Sequence, residues 1–326
     1  MKYVLQRILR MDYKNMLRVV KRIHKKTHKN RIILFFDIII CGFKYKAGYL
    51  DYELFEMYDL NKKQRSTILT RGINNDFVRK YNKPGYRELF DNKLLFNQKF
   101  DKFTKRKYMY LDENNEKEFN EFIKGREWII AKPLNATHGD GIMKIHPSKK
   151  TYKELLKTES RLIEEYIIQD EKLNKLNPMS INTLRIVTLY SEGVSTIIAT
   201  YLRVGNNRIV DNFNGGGMVV PINTDTGIIE YPAIDKAGNV YYEHPATKTK
   251  FIGFKVPQFE EAKKFCLEAS KVIKDVGYVG WDVGISVKGP CLIEGNDYPG
   301  HDIYQLPIHR TNGIGVLPDF LKRMKR

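Results

Sequence analysis

The sequence predicts an α+β protein in which a helical N-terminal region precedes a body that contains β-sheet. Residues 49–104 are polar with helically spaced apolar positions, which indicates helices. Further on, NTLRIVTLY at 182–190 and STIIATYLRV at 195–204 are rich in Ile, Val and Thr and indicate buried strands. Because these strands follow one another as hairpins and do not alternate regularly with helices, we expect antiparallel sheet.

Composition and cysteine usage limit the class of protein. The chain has 326 residues, of which 42% are hydrophobic and 12% aromatic, so it can form two domains with substantial cores. Its three cysteines, Cys41, Cys266 and Cys291, are scattered without the spacing of a metal site or a disulfide framework. This pattern favours a reducing compartment, and we expect a cytoplasmic protein.

The positive charge is concentrated at the N-terminus. Residues 1–31 hold eleven Lys and Arg side chains and a single acid, which accounts for more than half of the net charge of +18. The apolar positions of 3–27 follow a helical period between these cations, so 1–31 is predicted to be a basic amphipathic helical arm. Such an arm either lies on an anionic membrane or packs on the body with its cationic face in solvent. Nucleic acid is the less favoured partner, because the basic residues lack the interleaved aromatic side chains of stacking platforms.

An apolar stretch, IILFFDIIICGF at 32–43, follows the arm. It is shorter than the roughly 20 residues of a membrane-spanning helix. Asp37 in its middle is costly in lipid, and the stretch lacks the small residues of a signal-peptide cleavage site. We therefore expect a buried core segment that opens a helical region over 32–105.

The body continues with elements that are marked by their turn and cap residues. WIIAKPL at 128–134 is predicted to be a strand and is followed by a glycine-containing loop. A capping box of Thr151 and Glu154 predicts the start of a helix, and RLIEEYII at 161–168 is again typical of a strand. A long helix is predicted for 256–277, with a proline near its start and a glycine at its end.

The last two strands, within YVGWDVGISVKGPCLIEGN at 278–296, end in unusual polar residues. Glu294 and Asn296 are two residues apart and therefore point to the same face of their strand. The turn at 288–290 brings Asp282 of the preceding strand across from them. Two carboxylates and a carboxamide oxygen suit a hard cation such as Mg²⁺. The alternative is an ordinary turn, because Gly, Asn, Asp and Pro are the usual turn residues.

Two further stretches suit a nucleotide. Lys132 ends a strand before a loop with Gly139 and Gly141, so the lysine and the loop N–H groups could contact phosphates. A plain hairpin loop is the alternative there. Downstream, Glu164 and the backbone of 165–167 could hydrogen-bond the edge of an adenine ring.

Together and in this order, these elements resemble the ATP-grasp superfamily over roughly residues 85–305. The stretches PMSINTLRIVTL, DNFNGGGMVVPIN, EHPATKTKFIGFKVP and GYVGWDVGISVKGPCLIEGNDYPGHDIYQ are similar to the sugar-transfer-associated ATP-grasp family, whose members are associated with capsule and exopolysaccharide biosynthesis. The resemblance implies an ATP-grasp fold, in which two α+β subdomains grip ATP. It assigns 106–170 to the lid subdomain and 171–326 to the C-terminal subdomain that carries the metal site.

The resemblance also implies a set of nucleotide-binding positions. Lys93 matches the first phosphate-binding lysine, with Lys99 of the same helix as a competitor, and Lys132 matches the second. Residues 137–141 match the lid loop, and 164–167 match the adenine hinge. The implied ATP-binding residues are Lys93, Lys132, Thr137, His138, Gly139, Gly141, Glu164, Glu165, Tyr166, Ile167 and, toward the ribose, Glu171.

Catalytic and metal positions follow from the same resemblance. Arg185 and Arg203 resemble arginines beside the phosphates in ribosomal-protein glutamate ligases of the superfamily, and Asn212 matches an asparagine at their reaction centre. The implied metal ligands are Asp282, Glu294 and Asn296. One departure is Gly280, where several carboxylate–amine ligases carry an arginine, so Arg185 or Arg203 must supply its charge.

The implied activity is ADP-forming ligation of a carboxylate to an amine or related nucleophile through an acyl phosphate. ATP and two Mg²⁺ ions, for which Mn²⁺ can substitute, are the implied cofactors, and a saccharide or small-molecule carboxylate with an amine acceptor is the implied substrate pair. An alternative uses the same ATP site for phosphoryl transfer to a sugar or lipid-linked hydroxyl. We expect peripheral contact with an anionic membrane through 1–31. His244 and His301 either contact substrate or make structural hydrogen bonds.

Overall fold

The computed structural model describes residues 12–136, 139–206, 211 and 213–325. Contacts divide the chain into two compact units. The terminal unit combines Met1–Lys80 with Gly300–Arg326, and the central unit is Tyr81–Pro299.

These limits differ from the boundaries expected at residues 31, 105 and 170. The helices between 87 and 104 belong to the central unit because their phenylalanines pack into its sheet core. Residues 300–326 return to the terminal unit. There the Gln305 amide accepts the Leu69 N–H at 3.0 Å and donates to the Leu69 carbonyl at 2.7 Å.

The terminal unit is helical in the parts that the structure describes. Its elements are α1 (Tyr13–Thr27), α2 (Arg31–Tyr45), α3 (Tyr49–Leu54), α4 (Lys62–Arg65), α5 (Arg71–Tyr81) and a C-terminal helix at Leu317–Met324, with 3₁₀ turns at Met57–Asp59 and Pro307–His309. Asp12 caps α1 by accepting the Asn15 N–H at 2.9 Å, and Asn30 caps α2 by accepting the Ile32 N–H at 2.8 Å. Because only residues 28–30 join them, α1 and α2 form a helical hairpin.

The two helices of the hairpin share one core. The contributing side chains are Met16, Val19, Val20 and Ile23 of α1 with Leu34, Ile38, Cys41 and Tyr45 of α2. Their spacing of three and four residues puts each set on one face of its helix. The described part of the predicted basic arm is therefore a helix that packs by its apolar face.

The expectation that the apolar stretch 32–43 is a buried core segment is only half right. The stretch forms most of α2, which turns one side to the core and leaves five large apolar side chains more than half exposed. They are Ile32, Ile33, Phe36, Ile40 and Phe43. Helix α2 has apolar side chains on both its buried and its exposed side. Hydrophobicity alone therefore does not show which side packs against the core. Among the residues that the structure describes, no helix has both the length and the apolar character needed to cross a membrane.

The central unit opens with three short helices and a small sheet. The helices are α6 (Arg87–Asp91), α7 (Lys93–Lys99) and α8 (Asp101–Thr104). The strands are β1 (Tyr108–Tyr110), β2 (Ile129–Lys132), β3 (Met143–Ile145) and β4 (Leu162–Glu165), with α9 (Glu116–Ile123) and α10 (Thr151–Leu155) between them along the chain. The sheet is antiparallel in the order β1-β4-β2-β3. Phe119 of α9 and Tyr152 of α10 pack on its apolar side chains.

A larger antiparallel sheet follows. Its strands are β5 (Leu184–Ser191), β6 (Val194–Val204), β7 (Met218–Pro221), β8 (Ala233–Asp235), β9 (Val240–Tyr241), β10 (Tyr278–Ser286) and β11 (Gly289–Asn296), in the order β11-β10-β5-β6-β7-β8-β9. Helix α11 (Glu171–Leu176) precedes this sheet in the chain, a 3₁₀ turn at Phe213–Gly215 lies between β6 and β7, and α12 (Phe259–Ala269) lies between β9 and β10.

The core of the larger sheet fixes the position of β10. Trp281 of β10 packs edge-on against Phe100 with ring centroids 5.2 Å apart, and its indole N–H bonds the Thr188 hydroxyl at 2.8 Å. Each fully buried aromatic side chain contributes about 1.5–3 kcal/mol. Since Trp281 fills the core face of β10, the next residue, Asp282, points to the opposite face.

Candidate active site

A cavity in the central unit is lined by residues of both sheets. The predicted site residues that line it are Lys93, Lys132, Gly139, Glu164, Glu165, Tyr166, Ile167, Arg203, Asp282 and Glu294. The predicted residues that the structure describes outside its lining are Gly141, Glu171, Arg185 and Asn296. Thr137, His138 and Asn212 lie outside the described residues. Side chains that were predicted to bind ATP or metal, from segments about 200 residues apart in the sequence, therefore line one cavity.

Two lysines face this cavity from different elements. Lys93 begins α7, and its ammonium donates to the Ala136 carbonyl at 2.5 Å, at the start of the predicted lid loop. Burial is the main reason that its pKa is lowered; Glu294 opposes this shift and Lys132 adds to it. Lys99, the competing candidate, is exposed at the other end of α7 and does not line the cavity. The geometry favours Lys93 as the phosphate ligand.

Glu164 holds the second lysine in place at the wall of the cavity. Its carboxylate accepts from Lys132 at 2.5 Å, from Arg106 at 2.8 Å and from the Asn97 amide at 2.7 Å. Burial alone would raise the pKa of Glu164, but Arg106 and Lys132 overcome this and hold it well below its usual range. Glu164 was expected to be part of the adenine hinge. In the structure its carboxylate forms ion pairs with Lys132 and Arg106.

The loop between β2 and β3 has a backbone that depends on glycine. Gly139 and Gly141 have φ values of 80° and 71°, in the left-handed region. A Cβ on Gly141 would lie 2.6 Å from Cγ of Pro133. The Gly141 carbonyl accepts from the Ser160 hydroxyl at 2.6 Å, which ties the loop to the start of β4. The crowding against Pro133 and the contact with Ser160 thus fix the shape of the loop at Gly141.

Gly141→Ala is expected to disturb this loop and weaken ATP binding. The alanine combines left-handed strain of about 1 kcal/mol with a clash against the rigid Pro133 ring. Gly125→Ala is the matched control, because Gly125 has φ of 73° with no atom within 4 Å of the added Cβ. We expect calorimetric ATP affinity to fall about tenfold for Gly141→Ala. Equal affinities of the two variants would contradict a role for the loop shape.

The chain leaves β4 along the cavity wall at the predicted adenine hinge. Glu165, Tyr166 and Ile167 all line the cavity. Lys144 of β3 lies 4.1 Å from the Tyr166 ring centroid and 4.7 Å from that of Trp128, two cation–π contacts that fix the wall. An apolar and aromatic wall of this kind suits a planar heterocycle.

The predicted metal residues meet across β10 and β11. Asp282 is directly opposite Glu294 in the strand register, and Gly280 is opposite Asn296, so the polar side chains share a face as expected. The carboxyl groups of Asp282 and Glu294 are close enough to share a hydrogen bond. Burial, the negative charge of Asp282 and this hydrogen bond raise the pKa of Glu294 to about 7.

Two arginines from neighbouring strands balance Asp282. Arg185 of β5 binds both carboxylate oxygens, one of them at 2.9 Å, and Arg203 of β6 donates to Oδ2 at 3.0 Å. Burial would raise the pKa of Asp282, but the two guanidinium groups lower it to about 2. A Cβ on Gly280 would lie 3.1 Å from Nη1 of Arg185, so Arg185 occupies the space above this glycine. Gly280 stands where several carboxylate–amine ligases carry an arginine. In this chain Arg185 of the adjacent strand β5 brings a guanidinium group to that place.

The residues present fit a divalent cation. Burial and the negative charge of Asp282 raise the pKa of Glu294, which directly faces it, so a cation between the two carboxyls would stabilise the ionised pair. In the described part of the chain, no cluster of three His, Cys, Asp or Glu side chains is placed to hold a metal ion. Asp282, Glu294 and Asn296 are the groups that would hold Mg²⁺.

Some predicted residues take other places. Glu171 begins α11 and is exposed away from the cavity lining. His244 is fully buried; its Nε2 lies 3.0 Å from the Gly205 carbonyl, and its Nδ1 accepts the Ala246 and Thr247 N–H groups. Nε2 of His301 lies 2.9 Å from Asp51 in the terminal unit. The contacts of both histidines are structural hydrogen bonds.

Several lining residues were not expected from the sequence. They are Ile130, Ala136, Ile142, Lys144, Met179, Ser180, Ile181, Thr183, Asp211 and Ile293, whereas Asp140 belongs to the predicted lid loop. Asp211 accepts the Thr183 N–H at 2.7 Å, and burial raises its pKa although Arg203 opposes the shift. Only Lys144 could have been found from the sequence. Side chains alternate along a strand, so Lys144 of β3 shares a face with Ile142.

Lys93→Ala is expected to weaken ATP binding about ten- to a hundredfold, because a charge-assisted contact to a phosphate is lost. Lys99→Ala on the same helix is the control, and its affinity should stay within about twofold of the wild type. Titration calorimetry with a nonhydrolysable ATP analogue measures both. A larger effect at Lys99 would reassign the phosphate-binding lysine.

The chain was compared with known proteins. The family model described as sugar-transfer-associated ATP-grasp matches residues 72–320. A comparison with curated protein sequences found no match. Among solved structures, D-alanyl-alanine synthetase A from Vibrio cholerae O1 is similar at 11% identity, with TM-score 0.41 over 73% of this chain and 62% of that chain.

Two more structures give comparable values. N5-carboxyaminoimidazole synthetase from Staphylococcus aureus complexed with ADP is 15% identical, with TM-score 0.43 over 69% of this chain and 50% of that one. The ATP-grasp ligase PsnB, complexed with minimal precursor, Mg and ADP, is 13% identical, with TM-score 0.43 over 81% and 70%. The chain thus spans 50% to 70% of the length of these solved chains.

The family match covers about three quarters of the chain and confirms the predicted family. The predicted α+β ATP-grasp fold, with helices ahead of two sheets, is confirmed as well. The chain belongs to the sugar-transfer-associated ATP-grasp family.

Proposed function

We propose that the protein is an ADP-forming ATP-grasp ligase that joins a carboxylate to an amine through an acyl phosphate. The observation that carries the proposal is the shared cavity: Lys93, Lys132 and Arg203 line it together with the facing Asp282 and Glu294 carboxyls. Cations beside a pair of acids suit a triphosphate that brings its own divalent metal.

In this proposal each wall of the cavity takes one part of ATP. The hinge at 165–167 receives the adenine, and Lys93 and Lys132 contact the phosphates from two sides. The loop that contains Gly139 covers the phosphates and excludes water, which would otherwise hydrolyse the intermediate. Glu164 acts through Lys132 by holding its ammonium in place.

The chemistry proceeds in two displacements. A substrate carboxylate oxygen attacks the γ-phosphorus, the bond from the β,γ-bridging oxygen breaks, and ADP leaves with the electron pair. The amine nitrogen then attacks the acyl carbon, loses a proton and expels inorganic phosphate. Arg203, at the cavity wall, stabilises the charge that develops on the transferring phosphoryl and the carbonyl oxygen. Mg²⁺ held by Asp282, Glu294 and Asn296, as one or two ions that Mn²⁺ can replace, would neutralise phosphate charge.

This chemistry needs no side-chain nucleophile. Cys266 and Cys291 are buried, and burial raises the pKa of both thiols, so neither is a reactive thiolate. The central unit therefore offers binding and electrostatic groups, which is what transfer through an acyl phosphate uses.

The family description supports a saccharide substrate. We place the reaction in polysaccharide biosynthesis, with a uronic acid or similar carboxylate as the acid and an amino acid or amino sugar as the amine. We place the protein in the cytoplasm, with residues 1–31 in peripheral contact with an anionic membrane. Support for this contact comes from the exposed cations of α1.

Product analysis tests the reaction. The protein is incubated with MgATP, a panel of uronates and a panel of amino acids, and the products are separated by mass spectrometry. We expect ADP, phosphate and an amide whose formation requires both substrates. Formation of AMP and pyrophosphate alone would contradict the proposal, and a phosphorylated sugar in place of an amide would assign phosphoryl transfer to a hydroxyl.

A further inference from the structure

Helix α2 carries an apolar face that nothing in the described part of the chain covers. Its outward residues, Ile32, Ile33, Phe36, Ile40 and Phe43, are each more than half exposed. They recur along one side of the helix, opposite the buried side chains that join the core of the terminal unit. Contiguous exposed apolar side chains of this kind mark an interaction surface. We call these five residues the α2 face.

The acidic side chain of this helix lies off its outer side. Asp37 is the one acid in α2, and it accepts from Arg65 and from the Tyr52 hydroxyl at 2.7 and 2.6 Å on the flank of the helix. The α2 face therefore consists of aliphatic and aromatic side chains alone. Contact of this face with an apolar surface is favourable, because the contact removes apolar side chains from water.

Helix α1, the other helix of the hairpin, is rich in exposed cations. Two acids pair with cations of α1: Glu53 of α3 with Arg22, and Glu56, just before the 3₁₀ turn, with Lys26. Other cations of the hairpin have no acid partner among the described residues. They are Lys14, Arg18, Lys21, Lys25, Arg31 and Lys44.

We propose that the α2 face inserts into the interfacial region of an anionic membrane, with the unpaired cations of α1 at the lipid headgroups. This deepens the membrane contact proposed above for residues 1–31 and is independent of the ligase chemistry. With 15 residues, α2 is about 22 Å long, too short to span a bilayer and suited to lie in its plane. Apolar side chains enter the acyl boundary while Lys and Arg bind the negative surface.

Charge decides against a second copy of the chain as the occupant. Two copies that met through this face would bring two sets of unpaired cations together, each on a chain of net charge +18. Like charges at an interface oppose association, whereas anionic lipid is complementary to them.

Vesicle binding of the full-length chain tests the proposal. The protein is mixed with phosphatidylcholine vesicles that do or do not contain phosphatidylglycerol, and bound protein is separated by flotation. The test variant is Ile33→Ser/Phe36→Ser/Ile40→Ser. Its matched control is Val194→Ser/Ile252→Ser/Ile314→Ser, which removes three exposed apolar side chains elsewhere. We expect the test variant to bind phosphatidylglycerol vesicles at least about tenfold more weakly than the wild type, and the control to bind normally.

A second measurement reports insertion directly. Phe36→Trp should show a blue shift of its emission with anionic vesicles and quenching by brominated lipid, even if the triple variant folds poorly. The charge variant Lys21→Glu/Lys25→Glu separates the two membrane proposals. Loss of binding in this variant, with normal binding of the apolar variant, would leave the basic arm as the contact and overturn insertion by the α2 face.

The remaining outcomes also decide the question. A wild-type dimer in sedimentation experiments that the apolar variant dissociates would assign the face to a second copy. If vesicles bound only after residues 1–11 were deleted, the α2 face would be assigned to contact with that segment of the chain. Either result overturns the proposal, while ADP formation from MgATP, measured in parallel, tests the ligase function separately.

Discussion

Glu294→Gln is expected to leave the central unit folded and to lower ATP turnover by about a hundredfold or more. The glutamine keeps the size and the hydrogen-bonding capacity of the side chain but removes the charge that faces Asp282 across the hairpin. A bound metal contributes several kcal/mol to phosphoryl transfer, and each ~1.4 kcal/mol is a factor of ten in rate. Measurement of ADP formation against Mg²⁺ concentration gives both the rate and the apparent metal affinity.

Folding of this variant follows from the direction of the pKa shift. The pKa of Glu294 is raised from 4.5 to about 7, so its ionisation costs stability that grows as pH rises through this interval. The metal-free wild type should therefore lose melting temperature over this range, and Glu294→Gln should not. For turnover, Asp297→Asn is the control, because Asp297 is three residues further on and does not line the cavity. Normal turnover of Glu294→Gln would remove Glu294 from the metal site.

Local patterns were enough to predict that Asp282 and Glu294 lie close together. Side chains alternate along a strand, and a short turn joins β10 to β11, so residues 282 and 294 had to lie near one another. The structure adds a bulge after Asp282, where Val283 is opposite Leu292, which sets the register that puts Asp282 directly opposite Glu294. The strand pair was predictable because every contact in it is local.

The role of Glu164 was not predictable, because its partners are distant in the sequence. Arg106 and Asn97 come from the chain before β1 and from α7, 58 and 67 residues away. A sequence shows the acid but not which cations surround it after folding. The same limit applies to Arg185, whose place above Gly280 depends on the pairing of β5 with β10.

The two sides of α2 illustrate a different limit. The stretch 32–43 is apolar all around, so its composition predicted burial but gave no direction. The side that becomes buried is set by contacts with α1 and α3, and the other side stays exposed. Likewise, no local signal assigns residues 300–326 to the terminal unit, since that assignment depends on Gln305 meeting Leu69 236 residues away.

Glu164→Ala is expected to destabilise the central unit by about 3–5 kcal/mol, because it leaves a buried guanidinium without its counter-charge. The Arg106 side chain is only 3% exposed, as is that of Glu164, so water cannot replace the lost carboxylate. Lys132 and the Asn97 amide lose an acceptor at the same time. This is a large part of the 5–15 kcal/mol by which a typical domain is stable.

The adjacent acid supplies the control. Glu165 pairs with Arg126 at 2.5 Å, but these side chains are 32% and 20% exposed, so Glu165→Ala should cost less than about 1 kcal/mol. Both tryptophans of the chain, Trp128 and Trp281, lie in the central unit, so urea unfolding followed by their fluorescence reports on this unit. Equal urea midpoints for the two alanine variants would contradict the assignment of Glu164 as the buried anchor.

The pH dependence of stability gives an independent test of the ion pairs that Glu164 forms with Arg106 and Lys132. The pKa of Glu164 is held below its ordinary value of 4.5 by Arg106 and Lys132 against the effect of burial. Its contribution is therefore fully present above pH 4.5 and declines as pH falls toward the lower folded-state pKa. The stability difference between wild type and Glu164→Gln should be constant near neutrality and narrow in acid. A difference that widened in acid would mean that the carboxyl is protonated in the folded protein and that Lys132 is held by other groups.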